Sequence, residues 1–199
     1  CLIKVGGTPI LEHQIAAYQS AGISDIVIVS GYKITLLREY CNKFSGINLT
    51  IIENKDFSIT NNMYSLYLAK NILKGEEFIL SNGDVVYDPE IVSVLINDTG
   101  SDMIACDKGS YADESMKISL TGEYASNISK EIPPIEAYGN SIDLYKFSAQ
   151  SSNILFSEIG KIIEHEKNVK DWFEVALQRL LKSGQLKMKP FDIAKRNWV

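Results

Sequence analysis

The fold is decided by a short run of β-branched residues, DIVIVSG at residues 25–31. Apolar side chains at successive positions, rather than at alternate ones, are typical of a strand that is buried on both faces of a parallel sheet. Apolar residues at helical spacing flank this run on both sides. One helix is predicted before it and ends at Gly22, and another covers residues 36–44.

The alternation of strands and helices continues along the first half of the chain. We predict a strand at 49–52, a helix from Asn61 or Asn62 to Leu73, a strand at 78–81, and a helix that opens at Asp88-Pro89. This order indicates βαβ units, and therefore a Rossmann-like, mostly parallel sheet flanked by helices.

Short strands with turn residues between them dominate the second half. They are predicted at 103–106, 116–120, 125–129 and 141–147, and helices follow at 150–167 and 170–183. Such runs favour antiparallel pairing. The sequence thus predicts an α/β fold with an antiparallel extension, in a single domain that spans residues 1–199.

The stretch FILSNGD at residues 78–84 ends in a carboxylate, Asp84. Ligands of open parallel sheets sit outside the carboxyl ends of the strands, so Asp84 could hold a divalent cation against a phosphate. Asn-Gly between apolar runs is also a strong hairpin signal, with residues 85–87 as the return strand. The helix predicted after Asp88 favours a strand-to-helix connection over the hairpin.

Composition excludes several classes of protein. The 199 residues are 45% hydrophobic, which suits one compact domain, and the net charge of −5 gives no footprint for nucleic acid. No apolar run is long enough to span a membrane, so no membrane association is expected. Cys1, Cys41 and Cys106 lack the spacing of a metal site or a disulfide framework. They are expected to be reduced, buried thiols of a cytoplasmic protein.

Polar residues follow the other predicted strands. Tyr32 comes after the first strand and Asn54 after the second, while Asn61 and Asn62 stand at a helix start. Backbone N–H groups at a helix start favour anions, and the amides could read a nucleobase edge. The alternative for Asn61 and Asn62 is helix capping. The sequence contains no Gly-x-Gly-x-x-Gly and no Walker-type loop.

The predicted antiparallel strands carry charged residues, among them Lys117, Lys130 and Asp143. A lysine can hold a phosphate as a point charge, although most charged side chains are simply solvated. Asp143 interrupts a strand that is otherwise suited to burial, and a buried carboxylate needs a partner cation. A substrate ammonium group or a neighbouring lysine would serve.

Several stretches resemble the family of sugar-nucleotidyltransferase-like enzymes. They are CLIKVGGTPILE at 1–12, GISDIVIVSGY at 22–32 and NGD at 82–84. NNMYSLYLA at 61–69 is similar to the branch of phosphocholine and 2-aminoethylphosphonate cytidylyltransferases, as are DESMKI at 113–118 and ISKEI at 128–132. The resemblance covers nearly the whole chain.

The resemblance implies a GT-A-like nucleotidyltransferase fold and assigns roles to particular residues. Asp84 becomes the ligand of Mg²⁺ and, with Lys130, a catalytic residue. Lys130 and Lys117 would hold the acceptor's phosphate. The residues assigned to the nucleotide are Tyr32, Asn54, Asn61, Ser65 and Gly83.

The chain departs from the family's pattern at three places. A glycine-rich loop with Arg and Lys would precede Cys1, and a second metal-binding aspartate would follow Val199. We therefore expect both ends to continue in a longer protein. The branch more often shows a small residue where this chain has Asp143. A carboxylate there would suit the α-ammonium group of phosphoglutamine, the acceptor of a related activity in capsule synthesis.

The resemblance thus predicts a cytoplasmic, CTP-dependent cytidylyltransferase. It would transfer CMP to phosphoglutamine, phosphocholine or 2-aminoethylphosphonate with release of pyrophosphate, for modification of cell-surface polysaccharide. The alternatives are a sugar-1-phosphate nucleotidyltransferase and a catalytically inactive nucleotide-binding subunit. The expected partners are CTP and a small phospho-acceptor, with no nucleic acid and no membrane, and a homodimer is left open.

Overall fold

The computed structural model describes residues 1–100, 102–109, 111 and 114–199. The first half forms β1 (Lys4–Val5), β2 (Thr8–Pro9), α1 (Ile10–Ser20), β3 (Asp25–Ser30), α2 (Ile34–Cys41), β4 (Asn48–Glu53), α3 (Asn62–Leu68), α4 (Lys70–Leu73), β5 (Phe78–Ser81) and α5 (Pro89–Asn97). The second half forms β6 (Asp102–Asp107), β7 (Lys117–Thr121), β8 (Tyr124–Ser129), β9 (Gly139–Phe147), α6 (Ala149–Gly160), α7 (Phe173–Lys182) and β10 (Met188–Asp192). A 3₁₀ turn occupies Pro134–Glu136, and a π-helical turn, Lys161–His165, extends α6.

The predicted helix after residue 84 is present, and it excludes the hairpin alternative. Asp88 caps α5 by accepting a hydrogen bond from the N–H of Glu90 at 2.9 Å, and Pro89 occupies the first turn. Both features are typical of a helix start, because Asp satisfies a free N–H and Pro has none to satisfy. Residues 86–88 instead pair with residues 197–199.

The main sheet is mixed and is built around β9. One edge of β9 pairs with β6, and β10 pairs with β6 in parallel beyond it. The other edge pairs antiparallel with β7 near its start and with β5 near its end, and β8 pairs with β7. The predicted α/β fold with an antiparallel second half is confirmed. Helices α6 and α7 pack on the apolar side chains of this sheet in the largest core cluster.

Strand β10 was not predicted, for a physical reason. Its sequence, MKPFD, contains a proline and two charged residues, which argue against a central strand. In the structure, β10 lies at the edge of the sheet and pairs only with β6 among the described strands. Proline is tolerated in an edge strand, because the N–H that Pro190 lacks is not needed to join two neighbouring strands.

Strands β3 and β4 form a separate parallel pair, with residues 25–30 matched to residues 48–53. A cavity of about 730 Å³ separates β3 from β5, and α1 and α3 contribute to its lining. In the part of the chain that the structure describes, the edges of β3 and β5 that face this cavity have no strand partner. No helix in the described residues is long and apolar enough to cross a membrane. All three cysteines are free thiols; Cys41 and Cys106 are buried as expected, whereas Cys1, which precedes β1, is exposed.

Candidate functional site

The candidate site lies where the edge of β9 changes partner. Asn140 pairs with β7 and Leu144 pairs with β5, so Asp143 falls between the two ladders. The register with β6 also shifts here, and Asp143 has a left-handed backbone with φ of +58°. Asp is one of the few residues that tolerates this conformation, and bulges commonly re-aim a side chain beside a functional site.

Three chain segments meet around this break. The N–H of Asn82, just after β5, donates to the carbonyl oxygen of Asp143 at 3.2 Å. Lys117 begins β7 and pairs with Ser129, the last residue of β8, so Lys130 follows directly. Coulomb interactions with Asp84 and with Lys130 both act on the Asp143 carboxylate. The structure thus brings together four predicted residues: Asp84, Lys117, Lys130 and Asp143.

A buried glutamine holds the loop that carries Asp84. Gln14 of α1 is 5% exposed, and its Nε2 donates to the carbonyl oxygens of Asn82 at 2.7 Å and Val85 at 2.9 Å. These two carbonyls bracket Asp84, whose side chain is exposed at the turn. Helix α1 therefore fixes the position of the loop, while the carboxylate stays accessible.

Two carboxyl groups and a tyrosine form a buried cluster beside the break. The Tyr145 hydroxyl lies 3.3 Å from Glu174 Oε1 and 3.5 Å from Asp143 Oδ1. Burial raises the pKa of Glu174 to about 7, and the nearby charge of Asp143 adds to the shift. Burial likewise raises the pKa of Asp143, with a further contribution from Asp84. Desolvation dominates in both cases because it disfavours the ionised form.

The two lysines differ in their surroundings. The Lys117 side chain is buried, with the residue 3% exposed, and its Nζ lies 3.4 Å from the carbonyl oxygen of Ser115. Lys130 is more accessible: its Nζ lies 3.3 Å from Glu114 Oε2 and 4.6 Å from the centre of the Trp172 ring. Lys130 is therefore the lysine that a ligand can reach directly. Asp113, which opens the stretch DESMKI, lies outside the described residues.

Four of the residues predicted to bind the nucleotide lie on the side of the cavity formed by β3, β4 and α3, and the fifth, Gly83, lies on the side of β5. Tyr32 follows β3, is 68% exposed and packs beside Phe57. Asn54 is buried and donates from Nδ2 to Thr60 Oγ1 at 3.1 Å and Ser65 Oγ at 3.2 Å. Its Oδ1 also accepts from the backbone N–H of residue 56. Asn54 thus fastens the end of β4 to the start of α3.

The start of α3 is fixed by its own amides. Asn61 Oδ1 accepts from the N–H of Asn62 at 2.8 Å, and its Nδ2 donates to the carbonyl oxygen of Lys170 at 3.1 Å. The capping role that the sequence left open for Asn61 is therefore present. Ser65 and Gly83 line the same cavity from opposite sides, so this cavity connects the two groups of predicted residues.

The donor set near Asp84 fits a magnesium ion that is shared with a substrate. Carboxylate oxygens are the hard ligands that Mg²⁺ prefers, and Mg²⁺ is commonly held by one or two carboxylates together with phosphates. Among the described residues, no group of three or more His, Cys, Asp or Glu is arranged to hold an ion. Asp84 would therefore supply only part of the ligands of such a magnesium site.

Sequence reasoning missed Gln14, Tyr145 and Glu174. Gln14 lies on an amphipathic helix, where a polar residue is normally taken as solvated. Glu174 lies on α7, far in sequence from the other acids, and only the packing of that helix on the sheet brings it near Asp143. A polar residue at an apolar position of the helical repeat was the available signal in both cases.

Comparison with known proteins identifies the family. Residues 1–133 match the MobA-like NTP transferase domain. CTP:phosphoglutamine cytidylyltransferase of Campylobacter jejuni is 27% identical in an alignment of 201 residues, gaps included. The alignment covers 91% of this chain and 79% of that protein.

Solved structures agree on the fold. The inositol-1-phosphate CTP transferase of T. maritima has a TM-score of 0.79 at 18% identity, over 99% of this chain and 78% of that one. The CTP:phosphocholine cytidylyltransferase of Streptococcus pneumoniae has a TM-score of 0.77 at 20% identity, over 99% and 81% of the two chains. These likenesses confirm the GT-A-like nucleotidyltransferase fold. Since the family match covers well over half of the 199 residues, the chain belongs to the MobA-like NTP transferase family and is a nucleotidyltransferase.

Proposed function

We propose that the protein is a CTP-dependent cytidylyltransferase whose acceptor is a small phosphorylated or phosphonate compound. An oxygen of the acceptor forms a bond to the α-phosphorus of CTP. The bond from that phosphorus to the oxygen that bridges to the β-phosphate breaks, and pyrophosphate leaves. Similarity to the Campylobacter jejuni phosphoglutamine enzyme along 91% of the chain supports the choice of nucleotide and of acceptor class.

The observation that carries the proposal is the meeting of acids and lysines at the break in the edge of β9. The acceptor oxygen is already anionic, so the reaction needs no strong general base. It needs two anions to be brought together in line and their charge to be neutralised. Lys130 is placed to contact the acceptor's phosphate, and the buried charge of Lys117 adds to the field at the same strand ends.

Asp84 is the residue that would hold the metal. When bound, Mg²⁺ neutralises charge on the α-phosphate and orients it. Asp84 is exposed beyond the carboxyl end of β5, next to Gly83, which lines the cavity, and Gln14 fixes its loop. Ser65 also lines the cavity, and Tyr32 lies two residues beyond Ser30, which lines it as well. Tyr32, Ser65 and Gly83 are the candidates for contacts with the base and the ribose.

We further propose that a segment after Val199 completes the metal site. Val86 and Val199 exchange both backbone hydrogen bonds, at 2.7 and 2.8 Å, and Tyr87 bridges to Trp198. If this antiparallel ladder continues, the second residue beyond Val199 lies opposite Asp84. An acidic side chain in that short segment would share the ion with Asp84.

A segment before Cys1 is proposed to fill the cavity between β3 and β5 as an extended strand. Ile26 to Val29 of β3, and all four residues of β5, are only half-buried, although their apolar character suits a strand covered on both faces. Cys1 lines the cavity beside Gly83, at the carboxyl ends of the strands. A loop that joins this strand to Cys1 would therefore reach the proposed nucleotide site.

Two measurements test these proposals. Pyrophosphate release by the full-length protein is measured with CTP, UTP and dTTP, each with phosphoglutamine, 2-aminoethylphosphonate, phosphocholine and a sugar 1-phosphate. Release that requires CTP and any of the first three acceptors supports the proposal, and release only with the sugar 1-phosphate overturns it. The melting temperature of the full-length protein is compared with that of residues 1–199, and equal values would contradict a strand in the cavity.

A further inference from the structure

The cluster formed by Asp143, Tyr145 and Glu174 brings two largely buried carboxyl groups to the same tyrosine hydroxyl. Glu174 is 4% exposed, and among the described residues its Oε2 has no hydrogen-bond partner. Neither Glu174 nor Asp143 takes part in an ion pair within 4.0 Å in the part of the chain that the structure describes. A buried carboxylate without a cation is costly, so the cluster calls for one.

Tyr145 cannot satisfy both carboxylates. Its hydroxyl accepts a hydrogen bond from Ser141 at 2.8 Å and has a single proton to donate. That proton can go to Glu174 Oε1 or to Asp143 Oδ1, which lie at 3.3 and 3.5 Å. Whichever it serves, the other carboxylate lacks this donor. Asp143 also accepts a hydrogen bond from the Asn82 side chain, and Glu174 accepts from the Asn62 side chain and from its own backbone N–H. The acceptor that still lacks a donor among the described residues is Glu174 Oε2.

Lys130 does not fill this need. It is the lysine whose charge lowers the pKa of Asp143, but its ammonium group lies 3.3 Å from Glu114 Oε2 and over the ring of Trp172. It is also proposed above to contact the acceptor's phosphate. A cation that arrives with the substrate can satisfy Asp143 while its phosphate end reaches Lys130.

We propose that the acceptor carries an ammonium group with N–H donors, which binds Asp143 directly, and that Glu174 acts behind it as a positioning residue through Tyr145. This inference rests on the proposed cytidylyl transfer and names the substrate class for it. The site discriminates against a quaternary ammonium group, because such a group has no N–H to give to the carboxylates.

The aromatic residues near the cluster support this discrimination. Quaternary ammonium groups are recognised mainly through the faces of aromatic rings. Here the Trp172 ring carries the Lys130 ammonium at 4.6 Å, and the Tyr145 ring packs against Phe173 with centroids 4.8 Å apart. Each ring thus already has one partner, with which a trimethylammonium group would have to compete.

Three matched acceptors test the inference in the full-length protein with CTP: 2-aminoethyl phosphate, choline phosphate and ethyl phosphate. Pyrophosphate release gives kcat/KM for each, and calorimetry gives binding without turnover. We expect kcat/KM for 2-aminoethyl phosphate to exceed both others by about 10- to 100-fold, the usual effect of a hydrogen bond between charged groups. Glu174→Gln and Asp143→Asn should reduce this advantage through KM for 2-aminoethyl phosphate, so the ratio of kcat/KM between 2-aminoethyl phosphate and ethyl phosphate is the quantity compared among the variants.

The variants are chosen to fold. Glu174→Gln preserves the shape of a buried side chain, and Asn tolerates the left-handed backbone of residue 143. Glu123→Gln, at the exposed turn between β7 and β8, is the control and should leave all three acceptors unaffected.

The outcomes separate this inference from the proposed function. Equal kcat/KM for choline phosphate and 2-aminoethyl phosphate overturns the inference and leaves cytidylyl transfer standing. A preference for the amine in calorimetry without pyrophosphate release supports the amine site and overturns the transfer reaction. Absence of both overturns both.

Discussion

Gln14 reaches from α1 to the carbonyl oxygen of Asn82, 2.7 Å from its Nε2, and thereby ties the first long helix to the loop of Asp84. The same amide nitrogen donates to Val85 at 2.9 Å. Both ends of a four-residue loop are thus held by one side chain. The position of Asp84, the carboxylate proposed to bind the metal, consequently depends on a residue about seventy positions away.

Replacing Gln14 by Leu should loosen this loop. The change removes one donor from each of two carbonyl oxygens; that of Asn82 keeps the Ser81 hydroxyl at 3.0 Å, and leaving the buried oxygen of Val85 unsatisfied costs about 1–3 kcal/mol. We expect urea unfolding to show a loss of that size, together with a lower rate of nucleotidyl transfer. Gln19→Leu is the control, since Gln19 lies on the same helix and makes an exposed bond to Ser45 at 3.2 Å. Equal losses in both variants would contradict the role of Gln14.

Stability should depend on pH through Glu174. Its pKa is raised to about 7 from 4.5, so its contribution to folding is fully present below about pH 4.5 and is lost as the pH rises through 7. Glu174→Gln removes this titration. The free energy of unfolding of the variant, relative to the unmodified protein, should therefore rise between pH 5 and 8 by up to about 3 kcal/mol. Parallel pH profiles would contradict the burial of an ionisable carboxyl.

Lys130 and Lys70 offer a matched comparison. Each lysine lies over an aromatic ring and beside a glutamate: Lys130 over Trp172, and Lys70 over Tyr67 with Glu164 at 3.1 Å. Only Lys130 borders the proposed acceptor site. Lys130→Ala should raise KM for the acceptor by about 10- to 100-fold, the usual effect of losing a charge-assisted hydrogen bond, whereas Lys70→Ala should change it little. Similar effects of the two changes on KM would argue against a contact between Lys130 and the acceptor's phosphate.

The order of helices and strands could be predicted because the residues that cause each element lie close to it in the sequence. The β-branched run of residues 25–30 and the Asp88-Pro89 helix start lie within a few residues of the structure they cause. The pairing of β10 with β6 could not be predicted in this way. It joins segments more than eighty residues apart, and the sequence of β10 carries a proline that argues against a strand.

The same distinction between local and long-range causes applies to the candidate site. Asp84 could be proposed from the sequence because it follows a strand and a recognisable turn. The bulge at Asp143 arises from a change of strand partner along β9, which no local pattern records, although the acid itself was noticed. Glu174 becomes part of the site only through the packing of α7, and its burial, not its position in sequence, marks it.

Asp84 is proposed to take part in transferring a nucleotide to an amine-bearing phospho-acceptor. The most direct test is pyrophosphate release from CTP and 2-aminoethyl phosphate by the full-length protein in the presence of Mg²⁺, with Asp84→Ala compared against Glu123→Ala. Both acids are exposed at turns, so their loss should affect folding similarly. We predict that Asp84→Ala lowers the rate at least about 100-fold, the scale of a lost electrostatic contact to the transition state, while Glu123→Ala leaves it unchanged. An unchanged rate in Asp84→Ala would contradict the proposed role of Asp84 in the transfer reaction.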